Sequence, residues 1–309
     1  MTSQRHRQRT GLTLRTLGFP LVLFLGLMLS TPDFRSAQNF INFGGQICAL
    51  LLVGLGQLFV VLAGGIDLSV GSVVSLAGSI IATQSDPATG LALAAALGIL
   101  VGVVNGAGIA FTGVHPLVMT LSTATFLQGF AYIVLPIPGG TIAPVLVESA
   151  NGNLAGMPYA VLWGVACTLL SSWVLRHTRF GLHLFAAGAN AHSAYLNGVH
   201  VKRVVVGAYV MSSLFAVVAG VFIASRVSSA DPAMGASYAL ESVAAVALGG
   251  VSLTGGIGSV AGVLAGTLGL GLLSNGLNLF GVSPFLRAAT TGLLLLAAVG
   301  TQRRRSLGL

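Results

Sequence analysis

Two acidic residues, Asp67 and Glu241, fall inside apolar stretches of this 309-residue chain. An ionised side chain at the centre of a bilayer costs about 2.5–3.5 kcal/mol on insertion scales, so an acid there needs a reason. Two chemistries supply one: ligation of an ion or polar solute, or a structural hydrogen bond. For Asp67, in Gly64-Gly65-Ile66-Asp67-Leu68-Ser69, the simpler role is a cap, with Asp67 or Ser69 accepting backbone N–H bonds from the next helix. For Glu241 it is an interhelical hydrogen bond. Arg287 stands in the first turn of the last span and reads most simply as snorkelling to the outer interface.

Covalent chemistry finds no constellation. His177, His183, His192 and His200 share one segment, but no H-E-x-x-H spacing accompanies them, so no metal site is expected. No Gly-x-Ser-x-Gly nucleophile turn occurs. Cys48 and Cys167 both lie in apolar runs and read as small buried residues. The one lysine, Lys202, sits in His200-Val201-Lys202-Arg203. A phosphate-cradling loop needs Gly-x-x-x-x-Gly-Lys-Ser/Thr. The chain therefore carries no Walker-type ATPase. If ATP drives its work, another chain hydrolyses it, and no cofactor is expected here.

Composition names the solvent. Hydrophobic residues make up 55% of the chain and charged residues 6%, where a soluble domain carries about a quarter charged. Such a surface belongs in membrane lipid. The 43 glycines lack a collagen period and point to close helix packing and broken helices. The net charge of +8 raises the question of nucleic acid. It is answered by position: the basic residues cluster at the ends and in one loop, without interleaved aromatics, so no nucleic-acid partner is expected.

Apolar runs between turn signals divide the chain into about ten spans, near 16–31, 40–63, 68–84, 90–111, 116–136, 157–176, 203–226, 238–250, 259–280 and 284–300. The expected fold is all-α and polytopic, with a basic cytoplasmic segment 1–15, a transmembrane domain 16–300 and a basic cytoplasmic tail 301–309. The basic start followed by Leu17–Leu29 resembles a signal peptide, but the many later spans favour an uncleaved first helix. With both termini inside, eleven basic residues fall on the cytoplasmic side, among them Arg176, Arg179, Lys202 and Arg203, whereas Arg35 and Arg226 fall outside. That asymmetry fits the positive-inside rule.

The spans 68–84 and 238–250 are short and adjoin glycine-rich breaks, the pattern of discontinuous helices. Gly64-Gly65-Ile66-Asp67-Leu68-Ser69 is echoed by Gly249-Gly250-Val251-Ser252-Leu253-Thr254, and Asn105-Gly106 by Asn275-Gly276, though the spacing between the two pairs is not kept. Irregular backbone at membrane depth survives only within protein or beside a watery cavity. The long inner loop, 177–202, holds a short helix between Asn190 as N-cap and Gly198 as the residue past its end. So short a helix needs a surface to dock on.

These segments carry a resemblance. Gly64-Gly65-Ile66-Asp67-Leu68-Ser69-Val70-Gly71, Thr178-Arg179-Phe180-Gly181 with Ala187-Gly188-Ala189-Asn190, Asn197-Gly198-Val199, Ala247 to Gly256, and Asn275 to Val282 are similar to the ribose/xylose-type ABC sugar importer permeases, in order over about residues 45–300. The resemblance implies a permease of the bacterial inner membrane that passes a monosaccharide or small polyol. It implies a second permease copy or paralogue, a cytoplasmic ABC ATPase and a periplasmic sugar-binding protein as partners. Gly188, Asn190, His192, Tyr195, Leu196 and Gly198 would then form the helix that couples to the ATPase, and Asp67, Ser69, Glu241 and Thr254 would shape the path. Departures from the family pattern stand at Leu182, often basic there, at Ala189, often Gly, and at Ala191-His192, where an acid is common. The competing reading is an ion-coupled secondary transporter, which broken helices and two intramembrane acids also fit.

Overall fold

The computed structural model describes residues 17–301. The basic segment 1–15 and the tail beyond Thr301 lie outside the described residues. The chain runs α1 (Leu17–Ser30), a 3-10 turn (Pro32–Arg35), α2 (Ala37–Leu62), α3 (Val70–Thr83), α4 (Pro87–Thr112), α5 (Pro116–Val134), α6 (Pro144–Asn151), α7 (Tyr159–His177), α8 (Arg179–Ala189), α9 (Ala191–Leu196), α10 (Val201–Val227), α11 (Tyr238–Leu248), α12 (Val260–Leu279) and α13 (Pro284–Thr301). Six of these, α2, α4, α5, α7, α10 and α12, are long and apolar enough to cross a membrane; α1, α3, α11 and α13 are shorter apolar helices.

Local sequence sets the boundaries. Ser36, Asp86, Thr178 and Ser259 cap α2, α4, α8 and α12 by accepting backbone N–H bonds from Asn39, Thr89, Gly181 and Gly262. Proline opens α4 and α5, where its missing N–H is not needed. At Asp86 the Thr89 hydroxyl and then the Thr89 N–H, both donating, hold the carboxyl below the usual range.

Helices α2 and α10 form the centre, and nearly all of the second half of α2, from Cys48 to Leu62, is buried. Helix α4 lies along α10 through Gly98, Gly102 and Gly106; a Cβ at Gly102 would stand 2.4 Å from the Val210 Cα. Small residues let these backbones approach where lipid offers no hydrophobic drive. Helices α4, α5 and α7 turn apolar side chains such as Leu100, Phe126 and Leu169 outward.

The two short spans are half-helices. Beyond α10 the chain turns back into the protein rather than across it. Ala230 pairs with Gly139, at the level of Ala82 near the end of α3, where Thr141 N–H donates to the Ala82 carbonyl at 3.0 Å. Gln128 then donates to the Pro232 carbonyl at 2.7 Å, and Gly235 N–H donates to Ser75 Oγ at 2.9 Å. Gly235 finally meets Gly71 so closely that a Cβ on either would strike the other's carbonyl oxygen. From Ala82 to Gly71 is about 16 Å along the helix axis. Helix α11 therefore starts at depth, back to back with the start of α3.

The loops hold more structure than hydropathy separates from coil. The one between α5 and α7 contains α6 and a two-stranded hairpin, Asn153–Leu154 with Met157–Pro158. The one between α7 and α10 contains two helices, α8 and α9, where the sequence pattern marks only the second. Helix α7 joins the hairpin to α8 and spans about 28 Å, so hairpin and α9 lie at opposite ends.

Gly235→Val should lower the thermal unfolding midpoint of the detergent-purified protein by the equivalent of about 2 kcal/mol or more, because backbone cannot yield to the added methyls. Gly129→Ala, at a position with open space around it, should stay within about 0.5 kcal/mol.

Candidate functional site

Asp67 is fully buried where five helices meet. Its Oδ1 accepts from Ser69 Oγ at 2.6 Å and from Ser69 N–H at 2.9 Å, and its Oδ2 accepts from Ser212 Oγ of α10 at 2.9 Å. Asn105 of α4 donates to Ser69 Oγ at 2.9 Å, and Thr123 of α5 donates to Asn105 Oδ1 at 2.6 Å. With its amide turned to satisfy both atoms, Gln57 of α2 donates to the Asp67 carbonyl at 3.0 Å and accepts from the Asp67 N–H at 3.1 Å. Thr120 Oγ1 accepts from Leu68 N–H at 3.2 Å. The irregular backbone between α2 and α3 thus finds its partners in side chains, as a buried break must. Ser212 lies about 16 Å along α10 from its first residue, near the middle of that helix.

The cap expected of Asp67 or Ser69 takes a different form. Ser69 occupies the N-cap position of α3, but its side chain makes no capping bond. Its hydroxyl is turned to Asp67 instead. Asp67 tightens the turn before the helix, and the same carboxylate reaches α10.

Glu241 stands elsewhere, in the first turn of α11. It lines a cavity of about 310 Å³ between α2, α11, α12 and α13, together with Gln46, Ser237, Ser274, Arg287 and Thr291. Ser237 and Arg287 are the polar and charged neighbours that bear on the Glu241 carboxylate. Arg287 Nε is buried without a hydrogen-bond partner among the described residues. Arg287, for which the sequence suggests snorkelling, is half-buried and lines this cavity.

Thr254 is exposed, and its hydroxyl lies 2.8 Å from that of Ser252. It belongs to the glycine-rich loop after α11, which packs against α8. Gly256 N–H donates to the Leu62 carbonyl at 3.0 Å. A Cβ on Gly255 would stand 2.9 Å from the Gly188 carbonyl and 3.0 Å from the Gly64 backbone, and one on Gly188 would strike the Leu62 carbonyl. The two echoed glycine breaks thus touch each other and α8. The structure groups Thr254 with Gly188, and separates both from Asp67 with Ser69 and from Glu241.

Helix α9 has the ends its sequence indicates. Asn190 Oδ1 accepts from Ser193 N–H at 2.8 Å. At the other end Val199 N–H donates to the Ala194 carbonyl at 3.0 Å and Gly198 N–H to that of Tyr195 at 2.9 Å, with Gly198 at φ +81°. This double bond past a left-handed residue is the Schellman closure, and glycine adopts it without strain. Ala194 and Val199 are buried beneath the helix, whereas Tyr195 is 69% and Leu196 70% exposed, beside exposed His192.

A helical bundle with half-helices meeting inside it, a polar cavity and an exposed short helix at one end is the architecture expected of a membrane transport permease. The chain belongs to the family described as branched-chain amino acid transport system / permease component, whose model matches residues 39–299. It is 36% identical to the ribose import permease protein of Bacillus subtilis (strain 168), over 93% of this chain and 91% of that one. It is 34% identical to the ribose import permease protein of Escherichia coli (strain K12), over 90% of each. It is 37% identical to the L-arabinose transport system permease protein of the same strain, over 90% of this chain and 86% of that one. No solved structure matches the chain. The resemblance carried by the sequence motifs is borne out by these relatives.

Asp67→Ala should destabilise the purified protein by about 1–3 kcal/mol, since Ser69 and Ser212 lose their buried acceptor. Asp67→Asn, which keeps Oδ1, should recover most of that; thermal unfolding of both in detergent measures the difference.

Proposed function

We propose that the chain is the membrane-spanning subunit of an ATP-binding-cassette importer that carries a monosaccharide or related small polyol across the bacterial inner membrane. The observation that carries this reading is the pairing of ribose and arabinose permeases as full-length relatives with an exposed, doubly capped α9. In this reading the ten apolar helices all span or enter the bilayer, and the α9 end faces the cytoplasm. The basic residues near it, Arg176, Arg179, Lys202 and Arg203, agree with that orientation.

Helix α9 then docks on a cytoplasmic ABC ATPase. Tyr195, Leu196 and His192 supply the contact, Asn190 and Gly198 fix the helix ends, and Gly188 seats α8 on the end of α2. ATP belongs to that partner, because this chain has no lysine in a phosphate-cradling loop. A periplasmic sugar-binding protein delivers the solute at the hairpin end, and a second permease copy or paralogue completes the path. Asp67 and Ser69 shape that path by fixing where α3 begins, Glu241 by facing the cavity, and Thr254 by joining the α11 loop to α8.

The ion-coupled alternative drew on two intramembrane acids. One of them, Asp67, is already engaged by Ser69 and Ser212, which weakens that alternative.

In proteoliposomes holding the ATPase and binding protein, replacing Asn190 with Ala and Gly198 with Val should cut ATP-driven sugar uptake at least tenfold while the permease still inserts and purifies at normal yield. Normal uptake by that variant would remove α9 from the coupling role. Uptake by the chain alone, collapsing with an ion gradient, would instead favour the secondary transporter.

A further inference from the structure

We infer that the Glu241–Arg287 cavity is a binding site, within a single protomer, for a neutral polyhydroxyl solute of monosaccharide size. The inference rests on the sugar-import reading for the identity of the solute, but its geometry stands apart from it.

Four features converge on the cavity. It holds one carboxylate and one guanidinium, so its formal charge is balanced. Its other polar groups are Gln46, Ser237, Ser274 and Thr291, neutral donors and acceptors spread over four walls. The Arg287 side chain lines the cavity, and its Nε–H, itself without accessible surface, has no partner among the described residues. Buried polar groups in native proteins are almost always hydrogen-bonded, so the chain by itself leaves this guanidinium incompletely satisfied. Finally, Ser237, at the N-cap position of α11, is among the lining residues, so the start of a half-helix that begins at depth borders the same cavity, the placement that transporters use for solute sites.

The size agrees. A cavity of about 310 Å³ lies at the lower end of the range for small-molecule sites, about 300–1,000 Å³. Leu50 and Leu270 supply apolar wall, which suits the C–H faces of a sugar ring. Hydroxyl groups that donate and accept at once can serve Glu241 and Arg287 together. The neutral groups are partly partnered within the chain, Gln46 Nε2 donating to Ser274 Oγ at 3.2 Å and Thr291 Oγ1 to the Arg287 carbonyl at 3.1 Å, and each keeps further donor or acceptor capacity for a solute.

The rival ligand with the same charge balance is an amino-acid zwitterion, its ammonium on Glu241 and its carboxylate on Arg287. A zwitterion would use the two charged groups and leave the remaining donor and acceptor capacity of Gln46, Ser274 and Thr291 unused, so the polyol is favoured.

The test uses the assembled transporter in proteoliposomes, with Cys48 and Cys167 replaced by Ala and a reporter Ala288→Cys in the cavity wall. The rate at which a hydrophilic maleimide labels that thiol is read with ribose, L-arabinose or leucine present at millimolar concentration. At least one of the two sugars should slow labelling threefold or more and leucine should not. Adding Arg287→Gln should abolish the protection. Thr291→Cys serves as the reporter if Ala288→Cys purifies poorly. Protection by leucine alone overturns the polyol assignment. Protection that survives Arg287→Gln overturns the site. So does absence of protection by either sugar. In that last case, uptake of ribose or arabinose by the same vesicles leaves the import reading standing, and its absence removes both.

Discussion

Lipid provides no hydrogen bonds, and that constraint governs everything irregular in this chain. Between α2 and α3, and again before α11, backbone leaves the helix at depth. At each place the protein must supply the partners that water would supply elsewhere. Asp67 does so for the first break. A single carboxylate holds the Ser69 turn and reaches Ser212 on α10, while Gln57 clamps the Asp67 peptide groups. The second break is held by Ser75 and Gln128. Because Gly71 and Gly235 are in backbone contact, the two breaks form one unit. Remove the partners of either and both half-helices lose their starting points.

That unit was partly legible in the sequence. The shortness of the spans near 68–84 and 238–250, together with their glycine pairs, marks both half-helices. The caps of α9 are legible too, because Asn190 and Gly198 act within their own turn. What hydropathy could not supply is the destination of side chains that act across the fold. Asp67 and Ser212 are 145 positions apart, and Ser69 and Asn105 are 36 apart. Nothing in either local pattern announces the other.

Two features lay outside the local pattern for a shared physical reason. Arg287 lies in the first turn of a span, and only the packing of α11 against α13 brings it to the same cavity as Glu241. Helix α8, which the sequence pattern leaves unmarked, contains Gly181 and Gly188. In the folded chain Gly188 is a point of close approach to the Leu62 carbonyl. The same absence of Cβ that weakens an isolated helix lets a packed one seat against backbone. The echo between the two glycine breaks has a physical meaning of the same kind. Gly64 and Gly255 touch, so whatever the ancestry of the repeat, its two copies need the same small residues because they face each other.

This contact also connects the two ends of the argument. Helix α9 is joined to α8 through Asn190. Helix α8 bears on the Leu62 carbonyl at the end of α2 and on Gly255 and Gly256 beyond α11. From Leu62 only a few residues lead to Asp67, and from Gly249 the chain leads directly back into α11, whose first turn carries Glu241. Close-packed backbone contacts transmit displacement rather than absorb it. In the proposed coupling role, a push on α9 would bear through α8 on the backbone just before α3 and just after α11, the two half-helices that meet back to back at Gly71 and Gly235. An α8 seated on long side chains would dissipate such a push in rotamer changes. Seated through Gly188, it has no side-chain freedom there to dissipate into.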